Sequence, residues 1–222
     1  MAASNPPQQA PALQTTALQS TIRRRQPAAL RRKMLVEAAR SVIATRGLHA
    51  TTLRDVAAAG DVAVGTVTYH FSGIAEVLAG VLEAEMQEYS APIMAAAGLA
   101  PTGRKALQHI ANGLLADGMR ARDHWKLWLD FWALSAHDVQ YARWQAAVYD
   151  ELHALVEHSI RRGRSDGSIG GEGNEHTAAV EFVALLDGLV VQCYLPAARL
   201  SAAAARRLLL AGCTQATPSP LG

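Results

Sequence analysis

Seven residues, Val64-Gly65-Thr66-Val67-Thr68-Tyr69-His70, bring three hydroxyls and an imidazole into two helical turns. Groups of this kind bond to phosphate oxygens and to base edges, and Gly65 lets a backbone approach a partner closely. The exposed face starting at Val64 therefore suits the major groove of double-stranded DNA, whose width of about 12 Å admits a helix. Thr52 points a second helix N-terminus toward a phosphate. Upstream, Arg23, Arg24, Arg25, Arg31, Arg32 and Lys33 place six cations within eleven residues. Arginines on a flexible arm suit a narrow minor groove.

A second cluster has different chemistry. All four tryptophans lie in the second half, at Trp125, Trp128, Trp132 and Trp144, with Phe131, Tyr141 and Tyr149 among them. Trp125, Trp128 and Trp132 recur at i, i+3, i+7, so one helix face stacks three indoles, with Asp130 and Phe131 set off from it. Such a stripe serves a core, but indole N–H groups need partners, and bundle interiors are where small-molecule pockets form. Facing indoles attract an organic cation by roughly 0.5–2 kcal/mol each, and Asp117, Asp123 or Asp130 supplies counter-charge. An apolar ligand would favour indoles as well.

Catalytic and metal chemistry finds little support. His153 and His158 are five apart rather than four, and His153 with Glu157 lacks further ligands. No nucleophile elbow, Walker loop or dinucleotide fingerprint occurs, and the glycine-rich stretch from Gly163 to Asn174 follows no strand. The sequence implies no cofactor and no metal, and points away from an enzyme.

Helical periodicity supplies the scaffold. Leu30, Met34, Leu35, Ala38, Val42 and Ile43 mark a first helix between Pro27 and Gly47. Thr52 and Asp55 approximate a capping box before a short second helix, which Gly60-Asp61 ends; Val64 to Phe71 forms a third. Ile74, Val77, Leu78, Val81, Leu82, Met86 and Tyr89 trace a fourth, limited by Pro92. Later helices are expected at Thr102 to Arg120, Asp123 to Ala136, Asp138 to Arg162, Glu175 to Leu195 and Ser201 to Ala211. Asp123, Asp138, Asn174 and Ser201 are the expected N-caps. No segment alternates with period two, so the fold is all-α. It comprises an N-terminal three-helix helix-turn-helix DNA-binding domain and a C-terminal helical bundle for ligand binding and dimerisation. The expected units are a disordered basic arm over 1–26, the DNA-binding domain over 27–73, the bundle over 74–213 and a flexible tail over 214–222.

The 222 residues are half hydrophobic and 18% charged, enough to build a core and too apolar for extended disorder. Two cysteines exclude a disulfide-stapled mini-domain. The overall charge of +2 hides an asymmetry: up to Gly80 nine basic residues face four acidic ones, and beyond it twelve face fifteen. A polyanion partner for the front follows from that split. The arginines near the start precede no apolar run, so no leader is expected, and the protein is placed in the cytoplasm. The most apolar stretch, Ala178 to Leu195, carries Glu181 and Asp187, each costing roughly 2.5–3.5 kcal/mol at a bilayer centre. It is a buried helix rather than a membrane span.

Thr51-Thr52-Leu53-Arg54-Asp55-Val56-Ala57 and Val62-Ala63-Val64-Gly65-Thr66-Val67-Thr68-Tyr69-His70-Phe71 resemble the DNA-binding domain of TetR-family regulators over about Leu30 to Leu82. The resemblance implies a homodimer with two recognition helices in successive major grooves and an effector-binding C-terminal domain. Some positions depart from the family pattern. Asp61 stands at the usual turn glycine, Ala63 at the Ser that caps the recognition helix, Thr68 at a phosphate-contacting Tyr and Ile74 at a backbone-contacting Lys. Leu127-Trp128-Leu129-Asp130-Phe131-Trp132-Ala133, His137-Asp138 and Leu185-Leu186-Asp187-Gly188-Leu189 are similar to the C-terminal domain of choline-responsive (BetI-type) repressors.

These features combine into a ligand-responsive repressor that binds a pseudo-palindromic operator as a homodimer and is released by a small-molecule effector, with an organic cation favoured. The expected ligand contacts are Trp125, Trp128, Phe131, Trp132, Trp144 and Asp130. For dimerisation, Val148, Leu152 and Leu155 continue a stripe from Tyr141 and Trp144, and Phe182, Leu185, Leu186 and Leu189 belong to a helix apolar nearly all round. Two alternatives remain open: a small-molecule-binding bundle with a decayed DNA-binding head, and a cofactor-independent α-helical enzyme.

Overall fold

A computed structural model describes residues 27–212, all of them helix or connecting turn, with no strand among the described residues. Arg23, Arg24 and Arg25 lie outside this range, as does the expected tail from 214.

The head begins with α1, Ala28–Arg46, whose Leu35, Val36, Ala39, Val42 and Ile43 are buried. Gly47 stops it at φ +82°, a backbone conformation that glycine adopts without the Cβ penalty. Helix α2, Leu53–Ala59, opens on a full capping box: the Thr52 hydroxyl accepts from Asp55 N–H while the Asp55 carboxylate accepts from Thr52 N–H. Asp61 then adopts φ +50°, alone in the left-handed region among the described non-glycine residues. Aspartate tolerates it because its short polar side chain can bond locally. Helix α3, Val64–His70, has Ala63 at its N-cap and no side-chain cap bond. Instead α3 is held at its far end, where Arg32 donates to the His70 carbonyl, pairs with Glu76 and stacks over Phe71 at 4.2 Å.

Helix α4, Ile74–Glu85, does not stop before Pro92. It passes through a π-helical turn, Met86–Ser90, into α5, Ala91–Gly98, with Pro92 in the first turn of α5. A widened turn ahead of proline accommodates both the missing N–H and the ring, so Pro92 redirects the helix rather than ending it. The expected helix from Thr102 to Arg120 is likewise two elements. Helix α6, Gly103–Leu114, ends before Gly118, whose φ of +103° breaks the run, and α7 covers Met119–Ser135. Asp123 therefore lies inside α7 and caps nothing. Asp138, Asn174 and Ser201 do cap: each accepts a backbone N–H at the start of α8 (Val139–Ser165), α9 (Glu175–Tyr194) and α10 (Ala202–Gly212) respectively.

One continuous apolar cluster runs from Leu35 in α1 through Val81 and Leu107 to Leu186 and Leu209. Helix α9 is long and apolar enough to cross a bilayer by length and composition. Its Phe182, Val183, Leu186 and Val190 are instead buried in this core.

The bundle closes most tightly where α6 starts against α8. A Cβ on Gly103 would stand 2.2 Å from both the Gly163 nitrogen and the Ser159 carbonyl oxygen, so backbone meets backbone there. Asp166 accepts from Gly103 N–H, and Arg162 donates to the carbonyls of Ala100 and Thr102. Gly103→Ala is expected to cost about 3 kcal/mol and lower the melting temperature by about 6–12 °C. Gly98→Ala, where an added Cβ meets nothing, is the control in the same thermal melt.

Candidate functional site

The head presents α3 outward. Tyr69 is 81% exposed, Val64, Gly65 and Thr68 are exposed, and Thr66 and His70 are half-buried at the edge of the same face. An added Cβ on Gly65 would meet no protein atom, so the space beside it is open to an external partner. Lys33 is exposed, whereas Arg31 is half-buried. Arg32, expected at the DNA, is committed to Glu76, the His70 carbonyl and Phe71, and so positions α3 from behind. The Thr52 hydroxyl and N–H are likewise satisfied by Asp55, itself paired to Arg46 at 2.5 Å.

In the body, α7 turns its indole stripe into a cavity of about 300 Å³ between the π turn, α5, α6, α8 and α9. Trp125, Trp128 and Trp132 line it, with Met86, Met94, Leu114, Tyr149 and Asp187. Trp125 donates its indole N–H to the Leu114 carbonyl at 2.6 Å, while the buried indole nitrogens of Trp128 and Trp132 have no partner among the described residues. Trp144 and Phe131 form a layer behind: Trp144 stacks on Trp128 at 5.7 Å and meets Phe131 edge-on. Neither lines the cavity.

The carboxylate facing the indoles is Asp187. It accepts from the Tyr149 hydroxyl at 2.7 Å, and burial pushes its pKa up to about 6 despite that bond. The acids expected there are elsewhere. Asp130 accepts from Leu48 N–H at 3.0 Å, beyond the end of α1, Asp117 pairs with Arg206, and exposed Asp123 lies beside α1. Helix phase explains the difference, since Asp123 and Asp130 share a face of α7 turned from the indoles toward the head.

Between cavity and head lies a buried ionic junction that sequence patterning did not reveal. Glu85, at the end of α4, is 2% exposed and meets His124 Nδ1 at 2.7 Å and Arg120 at 2.6 Å. Arg40 of α1 approaches the same carboxylate at 3.5 Å and bonds Glu88 at 2.8 Å. Burial alone would raise the Glu85 pKa, but hydrogen bonds from His124 and Arg120 hold it at about 2. Burial lowers the pKa of His124, so it is neutral at pH 7 and its Nδ1 carries the hydrogen donated to Glu85. His124 also lines the cavity and stacks on Tyr89 at 3.9 Å. One side chain thus touches both the cavity and the head's ionic tie. The signal available in sequence was the acid closing an apolar helical stripe.

The dimerisation residues divide. Phe182, Leu186 and Leu189 are buried in the chain's own core and present no side chain to a partner. Val148, Leu152, Leu155 and Leu186 line the cavity. Of those named, only Leu185 is exposed; Val180 and Val191, on another face of α9, and Leu195, just past its end, are exposed as well. The apolar stripe on α8 serves the interior because α9 lies against it.

A helix-turn-helix head on a helical body that holds an aromatic cavity defines a DNA-binding regulator of transcription. The chain belongs to the TetR family, with a C-terminal part of the BetI type. The family described as BetI-type transcriptional repressor, C-terminal, matches residues 103–217, and that described as bacterial regulatory proteins, tetR family, matches residues 35–81. The chain is similar to the HTH-type transcriptional regulator BetI of Klebsiella pneumoniae, 26% identical over 86% of this chain and 96% of that one. It is equally similar to BetI of Escherichia coli K12, 26% identical over 86% and 95%. Among solved structures, a transcriptional regulator from Saccharomonospora viridis in complex with choline superposes with a TM-score of 0.72 at 24% identity, over 80% of this chain and 92% of that one. A TetR regulator from Haloarcula marismortui gives 0.75 at 12% identity, over 83% and 97%. These relatives are regulators, not enzymes.

Proposed function

We propose that this protein is a cytoplasmic homodimeric repressor that grips a pseudo-palindromic operator through α3 and lets go when an organic cation fills the cavity. The observation carrying this reading is the cavity itself: three indoles and a half-buried carboxylate share one space with no Lys or Arg in its lining. Aromatic faces attract an onium group, and Asp187 supplies the counter-charge. The choline held by the Saccharomonospora relative belongs to the same ligand class.

Residues 27–73 act as the DNA-binding unit in this scheme and 74–213 as the sensing and dimerising unit. Val64, Gly65, Thr66, Thr68, Tyr69 and His70 contact the major groove. Exposed Lys33, with Arg23, Arg24, Arg25 and Arg31, binds the phosphate backbone and minor groove, making up for the cation that Ile74 does not provide. The face of α9 that exposes Val180 and Val191 pairs with its copy across a two-fold axis. Half-sites one turn apart need recognition helices roughly 34–36 Å apart. Cation entry displaces His124 on α7, and with it Glu85 on α4 and Arg40 on α1, changing that separation. Going from 1:99 to 99:1 needs about 5.5 kcal/mol of differential affinity between the two geometries.

Quenching of tryptophan fluorescence by choline, alongside a gel shift with DNA upstream of the protein's own gene, tests the reading. A cation favours ionised Asp187, so affinity is highest above the pKa of about 6 and falls as pH drops through it. Between pH 7 and pH 5 the ionised fraction, and the affinity with it, falls about tenfold. Of the other titratable groups facing Asp187, Tyr149 and neutral His124 carry no charge at pH 7, and Glu151 stands at the rim in contact with water. Asp187→Asn should bind choline weakly and flatten that profile. Quenching that does not depend on pH, or an operator complex that survives saturating cation, contradicts the proposal.

A further inference from the structure

The cavity holds more negative charge than one cationic head group neutralises. Two carboxylates line it, Asp187 on α9 and Glu151 on α8, and no basic side chain accompanies them. Arg120 is bound to Glu85, which also meets His124 of the cavity lining. The two acids sit at different depths: Asp187 is half-buried against Tyr149, while Glu151 is exposed and so stands at the rim. The Glu151 side chain makes no hydrogen bond or ion pair with any described residue, whereas Glu157, further along α8, pairs with Arg161 and His176. Met86, Met94, Leu152 and Leu155 line the same cavity with apolar side chains.

A single onium group on Asp187 leaves the rim carboxylate without a partner. A chain with a cation at each end answers both acids, one end among the indoles on Asp187 and the second on Glu151, with its methylenes against the apolar lining. We propose that the effector of this cavity is a linear aliphatic dication of the diamine class. The proposal rests on the cavity being the effector site, and adds that Glu151 selects for the second charge.

Fluorescence titration of the full-length protein with diaminobutane, diaminohexane and butylamine at fixed low ionic strength tests it. The better diamine is expected to bind about fivefold or more tighter than butylamine, the gain available from one well-placed rim ion pair. In Glu151→Gln the diamine-to-monoamine ratio should fall to one or below, because the second ammonium then meets an uncharged rim. Glu172→Gln, on the surface loop before α9, should keep the wild-type ratio. Equal affinities in the wild type, or a ratio that survives Glu151→Gln, overturns the dication while leaving a single-cation effector standing. If neither amine nor choline quenches but an uncharged apolar ligand does, the cationic reading of the cavity falls first and this inference with it.

Discussion

Replacing Thr66 and Tyr69 together with alanine is expected to weaken operator binding by about 1000-fold or more, since each good base contact contributes roughly 1–3 kcal/mol and each of the two subunits gives up both. Neither side chain belongs to the head's core: Tyr69 projects almost fully into solvent, and the buried residue of α3 is Val67. Thermal stability and choline quenching should therefore stay near wild-type values. A companion change separates recognition from folding more sharply. Gly65→Ala puts a methyl group where the protein has no atom, and alanine is favoured over glycine inside a helix by about 1 kcal/mol. The variant should melt slightly higher and bind operator worse, because the methyl stands where DNA must approach. Electrophoretic mobility shift and thermal melting on one preparation of each variant decide the matter. Unchanged DNA affinity in the double variant would favour a head that has lost its partner.

Glu85→Ala carries the second large effect. Removing the carboxylate leaves His124 without its acceptor and Arg40 and Arg120 without their shared counter-charge. Breaking a buried pair from one side costs about 3–5 kcal/mol, and Arg120, about half exposed, recovers part of that in water. A loss of about 3 kcal/mol, or about 6–12 °C in melting temperature, is expected. The pH dependence has a definite sign. Because the folded pKa of about 2 lies below the ordinary 4.5, the contribution of Glu85 is complete above pH 4.5 and is lost as pH falls toward 2. Acid titration of stability should show this component in the wild type and not in Glu85→Gln, which keeps the shape of the side chain but not the charge. Glu85→Gln also tests coupling: choline should still quench the tryptophans, with a smaller effect on the operator complex.

Local patterns made much of this legible. The capping box at Thr52 and Asp55, the left-handed Asp61, the caps at Asp138, Asn174 and Ser201, and the indole stripe of α7 each follow from a few adjacent residues. Less was legible where a local rule met a tertiary constraint. Pro92 reads as a stop, but a π turn absorbs it. The apolar stripe Val148-Leu152-Leu155 reads as an interface, and in the fold its half-buried side chains also line the cavity. Arg32 reads as a cation for DNA, and its pairing with Glu76, 44 residues away, is visible only in the fold.

By itself the sequence determined an all-α chain with a groove-reading head and an aromatic body, because helical period, capping and residue chemistry are properties of neighbours along the chain. Only the tertiary structure decided which acid faces the indoles, that Asp187 rather than Asp130 does so, and that His124 joins the cavity to Arg40 of the head. Those outcomes depend on the rotation of each helix about its axis and on which helix packs beside it. They are set by burying the whole apolar surface at once, a balance that no single segment contains.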